Sequence, residues 1–150
     1  MPDKKPTVLL VEDDAADQEI LRRAVSEGVL RADLRIVSDG ADALAYLSQE
    51  GGYASRENAP KPDLVLLDLN MPGLSGHEVL ARLRAKSETR TLPVVVLTTS
   101  DSDQDIVKSY ELGANSYITK PVNFQDFVRV VRELDEYWFD YVALPPADAV

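Results

Sequence analysis

The side chains best suited to chemistry fall at four separated places. Glu12-Asp13-Asp14 sets three carboxylates in a row. Asp68 is followed by Leu69-Asn70-Met71-Pro72-Gly73. Thr98-Thr99-Ser100 offers hydroxyls, and Lys120-Pro121 offers an ammonium group. Clustered carboxylates repel one another, so keeping all of them ionised is costly unless a cation intervenes. Oxygen-only ligation favours Mg²⁺ over zinc or copper. A carboxylate can also attack phosphorus and become an aspartyl phosphate. Such a transfer needs the charge on the equatorial oxygens neutralised. Mg²⁺ and Lys120 can supply positive charge there, and the Thr98 hydroxyl and backbone N–H groups can supply hydrogen bonds.

Each feature alone has an ordinary explanation. An acidic triplet before a helix can be an N-cap with dipole-favoured acids, and Asp14 is assigned that role. A single Asp at a strand end is usually a loop residue. Thr98-Thr99 can be β-branched strand filler. Lys120-Pro121 can be an exposed charge before a turn. The functional reading gains its weight only if one fold brings all four places together.

The elements that flank them supply that fold. Short β-rich runs alternate with amphipathic stretches. Residues 7–11, Thr-Val-Leu-Leu-Val, form an almost wholly apolar run, as expected of a strand covered on both faces. Further strands are predicted at 34–38, 63–68, 93–98 and 116–119. Helical spacing of apolar residues predicts a helix after Asp14, stopped by Gly28, then helices at 41–47, 76–86, 103–112 and 124–138. Residues 51–62 read as a polar loop containing Gly and Pro. Five successive βα units imply a doubly wound α/β fold, a five-stranded parallel sheet with helices on both faces. Ligands of such folds sit outside the carboxyl ends of the strands. All four chemical places lie at such ends.

Composition sets outer limits. The 150 residues suit one domain with its own core. The net charge is −10, so autonomous binding to nucleic acid is not expected, although a cationic partner or a bound cation is compatible with it. No apolar run approaches the ~20 residues of a membrane helix, and residues 1–6 lack a signal-peptide stretch. Without cysteine there is no disulfide or thiolate metal site. A cytoplasmic location is the default expectation. His77, the single histidine, opens a helix with no motif around it and reads as a surface or packing residue.

Jointly, Val11-Glu12-Asp13, the 66–73 stretch around Asp68, Val94 to Thr99, and Lys120-Pro121 resemble the receiver domains of two-component response regulators. The resemblance covers roughly residues 8–134. It implies a flavodoxin-like (βα)5 fold in which Asp68 accepts a phosphoryl group from a sensor histidine kinase. It implies Glu12 and Asp13 as the acidic pair that, with Asp68 and the Asn70 backbone carbonyl, holds Mg²⁺. Thr98 becomes the switch hydroxyl, Tyr117 the switch aromatic, and Lys120 the phosphoryl contact. It also implies a cis Lys120–Pro121 bond, which costs less before proline than before other residues. Glu12 departs from the Asp often found at its place, Thr99 from a smaller residue, and the 51–62 loop is longer than in minimal receivers. That loop, the 97–101 and 114–117 stretches, and Tyr137-Trp138-Phe139 before Leu144-Pro145 are similar to single-domain regulators that partner bacterial phytochrome kinases. A general phosphorelay intermediate, or a chemotaxis-type regulator, is the alternative pathway.

The expected organisation is one receiver domain with a core at about 7–136, an aromatic extension at 137–150 and no output domain. Its switching surface would be the fourth helix, fifth strand and fifth helix. Its only chemistry would be self-catalysed phosphotransfer and autodephosphorylation, so it is not expected to be a conventional enzyme. Tyr137, Trp138, Phe139 and Tyr141 can either finish the core or form an interface, and a homodimer through this end is the favoured expectation. Three rivals fit less well. An aspartyl-phosphate hydrolase resembles a D-x-D arrangement on the first strand. A flavin carrier needs a phosphate-binding loop where this chain is acidic. A binding-only receiver would lack the acceptor or the lysine.

Overall fold

The computed structural model describes residues 5–146. Five strands, β1 (Thr7–Val11), β2 (Asp33–Val37), β3 (Leu64–Leu67), β4 (Val94–Thr98) and β5 (Ser116–Thr119), form one sheet in the order β2-β1-β3-β4-β5. Every pairing is parallel. Helices α1 (Ala15–Ser26), α2 (Gly40–Ser48), α3 (Gly76–Ala85), α4 (Asp103–Glu111) and α5 (Phe124–Glu136) alternate with them. This is the doubly wound, flavodoxin-like arrangement implied by the βα alternation. Among the described residues no helix is long and apolar enough to cross a membrane.

The apolar strands are apolar because both faces are covered. Successive residues of β1 serve opposite layers. Val8 and Leu10 pack with Leu21 of α1 and with Phe127 and Val131 of α5. Leu9 and Val11 pack with Tyr46 of α2 and with Val79, Leu80 and Leu83 of α3. Leu64 and Leu66 of β3 join the first layer, and Val65 and Leu67 the second. A polar residue inside these runs would enter one layer or the other. The first tolerated polar positions are therefore the strand ends.

Each helix starts at the same edge of the sheet, and each start is capped. Asp14, Asp39, Ser75, Ser102 and Asn123 accept from the backbone N–H three residues on. Such caps satisfy otherwise orphaned N–H groups. Ser75 and Glu78 complete a reciprocal capping box. Asp14 is thus an N-cap, as its place in the sequence suggested.

Two segments differ from expectation. The 51–62 loop contains a short 3₁₀ turn at Gly51–Tyr53. It is anchored by Tyr53, whose hydroxyl donates to Asp42 Oδ2 at 2.9 Å and whose ring lies 5.1 Å from that of Tyr46. The last helix does not run evenly through Trp138. α5 ends at Glu136 and widens into a π-type turn over Tyr137–Tyr141. The Val142 N–H closes it on the Tyr137 carbonyl at 2.9 Å. Trp138, four residues after Leu134 on the stripe that buries Phe127 and Val131, lies in the core, 7% exposed, with Phe139 partly buried against the same cluster. Trp138 therefore finishes the core, which corrects its assignment to an interface. Tyr137 and Tyr141 stay at the surface, 57% and 81% exposed.

Gly76, the first residue of α3, sits directly against the end of β3. A Cβ there would lie 2.7 Å from Leu69 Cα, and closer still to the Asp68 carbonyl oxygen. Both obstacles are backbone and cannot rotate away. Gly76→Ala should destabilise the protein by about 1–3 kcal/mol, the usual scale of forced overpacking. Urea denaturation measures it, and an unchanged midpoint would show that α3 can retreat at no cost.

Candidate functional site

Strand register assembles the site. Val11 of β1 pairs with Leu67 of β3, so the next residues, Glu12 and Asp68, emerge side by side. The Asp68 N–H donates to the Val11 carbonyl at 3.0 Å, and the Glu12 N–H to the Val37 carbonyl at 3.0 Å. Thr98 pairs with Thr119, and the Lys120 N–H donates to the Thr98 carbonyl at 2.7 Å. Glu12, Asp68, Thr98 and Lys120 are all buried. Asp13 is exposed on the same rim.

Lys120 is the hub of this cluster. Its Nζ donates to Glu12, to Asp17 Oδ2 at 2.8 Å and to Asp68 Oδ2 at 3.3 Å. Burial opposes its charge, but the bonds to Asp17 and Glu12 and the nearby Asp68 charge outweigh that, and its pKa is raised. Lys120 is therefore a permanent cation at the rim. Glu12 is pushed up to about 7, chiefly by burial and further by the Asp68 charge, against the lowering hydrogen bonds from Lys120 and the Asp14 N–H. Its backbone is held too, since Gln18 Nε2 donates to the Glu12 carbonyl at 2.6 Å.

One lysine does not neutralise this many acids. Glu12, Asp13 and Asp68 each offer a carboxylate oxygen, all within 4.8 Å of one another. The set is all oxygen and strongly anionic, and part of it is buried at a cost. That is the donor chemistry of a hard divalent cation, so the residues fit one. The Asn70 N–H donates to Asp68 Oδ1 at 3.3 Å, which keeps the Asn70 backbone beside that carboxylate.

The hydroxyl side of the site leads toward α4. Thr98 Oγ1 accepts from the Ser100 N–H at 3.5 Å. Tyr117 spans the gap between β5 and this loop, its hydroxyl donating to the Ser100 carbonyl at 2.8 Å. Burial raises the Tyr117 pKa, so the phenol stays protonated and remains a donor. Ser100 Oγ donates to Asp105 Oδ2 at 2.6 Å in the first turn of α4. His77 bridges α3 to α4, its Nε2 2.9 Å from Ser109 Oγ. It is a packing residue, in keeping with its lack of a motif.

The Lys120–Pro121 bond is trans; no cis peptide occurs among the described residues. This corrects the cis bond implied by the resemblance. Trans is the lower-energy form even before proline, and with it Lys120 already pairs to β4 and reaches its three carboxylates. Asp17 and Gln18, in the first turns of α1, were not singled out from sequence. The readable signal was that a helix beginning at residue 15 points its first turn at the same rim. A first-turn acid has an ordinary dipole explanation, which hid it.

The chain is similar to known proteins in sequence and fold. The family model of the response regulator receiver domain matches residues 8–132. The response regulator Rcp1 of Synechocystis sp. is 41% identical over 140 residues, covering 93% of each chain. The structure of its Mn²⁺-bound form covers 94% of this chain and 99% of that one, with a TM-score of 0.86 and 40% identity. The phosphorylated cyanobacterial phytochrome response regulator RcpA has a TM-score of 0.88 and 41% identity, covering 95% of this chain and 99% of its own. A response regulator in red light signalling of R. palustris has a TM-score of 0.87 and 42% identity, covering 94% of this chain and 99% of its own. With buried acids, a lysine and a hydroxyl meeting at the carboxyl ends of a β2-β1-β3-β4-β5 sheet, and with these relatives, the chain belongs to the response regulator receiver domain family.

Proposed function

We propose that this receiver takes a phosphoryl group from the phosphohistidine of a sensor kinase onto Asp68. The convergence of Glu12, Asp17 and Asp68 on the Lys120 ammonium supports this most directly. Asp68 Oδ attacks phosphorus in line as the P–N bond of the phosphohistidine breaks, and the imidazole leaves. Lys120 turns an N–H toward a phosphoryl oxygen and offsets part of its charge. Thr98, buried at the end of β4, offers its hydroxyl to another. Mg²⁺, bound by Glu12, Asp13, Asp68 and the Asn70 carbonyl, would supply the remaining charge neutralisation. The same groups favour hydrolysis of the acyl phosphate, so the only chemistry assigned is self-catalysed transfer and autodephosphorylation.

The signal leaves through the α4-β5-α5 face. Thr98, Ser100 and Tyr117 already form a hydrogen-bonded link from the acceptor site to the start of α4. Drawing Thr98 toward a phosphoryl group pulls on that link and biases α4 between two arrangements. Val107, Tyr110, Val122 and Phe124 are exposed apolar residues on this face, suited to a protein partner. The reading is of one receiver domain with its core at about 7–136. The similarity to RcpA and to the R. palustris regulator supports a bacterial phytochrome kinase as donor. Tyr137 and Tyr141, the exposed pair of the aromatic extension, support a homodimer through that end.

Four outcomes test these assignments. A competent kinase should label the native protein and leave Asp68→Asn unlabelled; undiminished labelling of the variant would refute the acceptor assignment. Mg²⁺ should raise the melting temperature, and a chelator should reverse the rise. In chelator, Lys120→Met should lose about 3–5 kcal/mol, because buried acids lose their cation, and added Mg²⁺ should recover more for this variant than for the native protein. Light scattering should give a dimer mass; a strictly monomeric protein at high concentration, with and without a phosphate mimic, would contradict the dimer.

A further inference from the structure

Lys120 has one partner that the proposed chemistry leaves unused. Asp17 lies in the first turn of α1, its backbone N–H held by Asp14 Oδ1 at 3.0 Å. Its side chain turns inward and takes the Lys120 ammonium at 2.8 Å, closer than the 3.3 Å to Asp68. Asp17 stands outside the group of acids whose oxygens converge for a cation, which is Glu12, Asp13 and Asp68. Two of the three partners of Lys120, Glu12 and Asp68, thus belong to that convergent group, and the third does not.

This division has a physical consequence. A divalent cation on Glu12 and Asp68 competes with the ammonium group for the same oxygens. Like charges repel, and a buried ammonium group without a partner is costly. Resting on the reading of Glu12, Asp13 and Asp68 as cation ligands, we propose that Asp17 is the positioning residue for Lys120. It retains the ammonium group at the rim when Glu12 and Asp68 engage a divalent cation. Lys120 then stays beside Asp68 and exchanges one contact, that to Asp17, for a phosphoryl oxygen. Asp17 itself touches no reacting atom. Its effect on cation affinity runs through Lys120, which separates this role from that of a nearby negative charge.

The separation is measurable with Mn²⁺ alone, by titration calorimetry of the full chain. Asp17→Asn should weaken Mn²⁺ binding by roughly fivefold, a coupling ordinary for residues in direct contact. In a Lys120→Ala background the same change should alter binding by less than about twofold, because the competing ammonium group is gone. Equal weakening in both backgrounds would overturn the proposal and leave Asp17 only its charge. If Lys120→Ala does not fold, lysine-selective ¹⁵N spectra decide. With Mn²⁺ replaced by diamagnetic Mg²⁺, the native protein should show a slowly exchanging Lys120 Nζ signal that Asp17→Asn loses. Its persistence in the variant would also overturn the proposal. Absence of Mn²⁺ binding by the native protein would instead refute the cation reading, and the proposal with it. Labelling of Asp68 by a kinase is a separate readout from either.

Discussion

Everything at the rim depends on one buried ammonium group held among carboxylates. Lys120 is buried, as are Glu12 and Asp68. A buried charge without a partner is costly, and so is a buried cluster of like charges. Each therefore requires the other. The lysine makes the acids tolerable, and the acids keep the lysine protonated against its own burial. The balance is deliberately incomplete in charge: Glu12, Asp17 and Asp68 surround a single cation, with Asp13 beside them. The surplus negative charge is what a divalent cation can satisfy and what a phosphoryl group, arriving with it, must overcome.

The fold exists around that cluster in a concrete sense. Parallel pairing brings the carboxyl ends of β1 and β3 into register, so Glu12 and Asp68 are neighbours though far apart in sequence. The pairing of β4 with β5 does the same for Thr98 and Lys120. Apolar layers on both faces forbid polar residues within the strands and so confine the chemistry to their ends. Gly76 lets α3 begin directly against the backbone of Asp68 and Leu69. Ser100, Tyr117 and Asp105 then carry the site's geometry to α4. These bonds are the route by which the proposed phosphorylation of Asp68 would reach the α4 surface.

Much of this could be read from the residues alone, for identifiable reasons. The β-rich runs were clear because strands covered on both faces are nearly continuous in apolar residues. The acids, hydroxyls and lysine stood out because they come at the first positions where polarity is allowed. What stayed hidden lacked a distinct local signal. Asp17 looks like any first-turn acid, and only the path of the Lys120 side chain distinguishes it. Trp138 stands among exposed neighbours, Tyr137 and Tyr141, yet it falls four residues after Leu134 on the buried stripe of α5 and so lies in the core. The Lys120–Pro121 bond is trans where the resemblance implies cis, and neither residue alone carries a signal for the isomer.

The central claim is that Asp68 becomes an acyl phosphate. The most direct measurement is chemical trapping. The protein is incubated with Mg²⁺ and a small acyl phosphate, reduced with borohydride and mapped by peptide mass spectrometry. Reduction of an aspartyl phosphate leaves homoserine at the modified position. The account predicts homoserine at Asp68 and at no other carboxylate, and none when Mg²⁺ is chelated. Homoserine at Asp13 or Asp17 instead, the one-carbon-longer alcohol at Glu12, or no reduced residue anywhere although the cation binds, would contradict it.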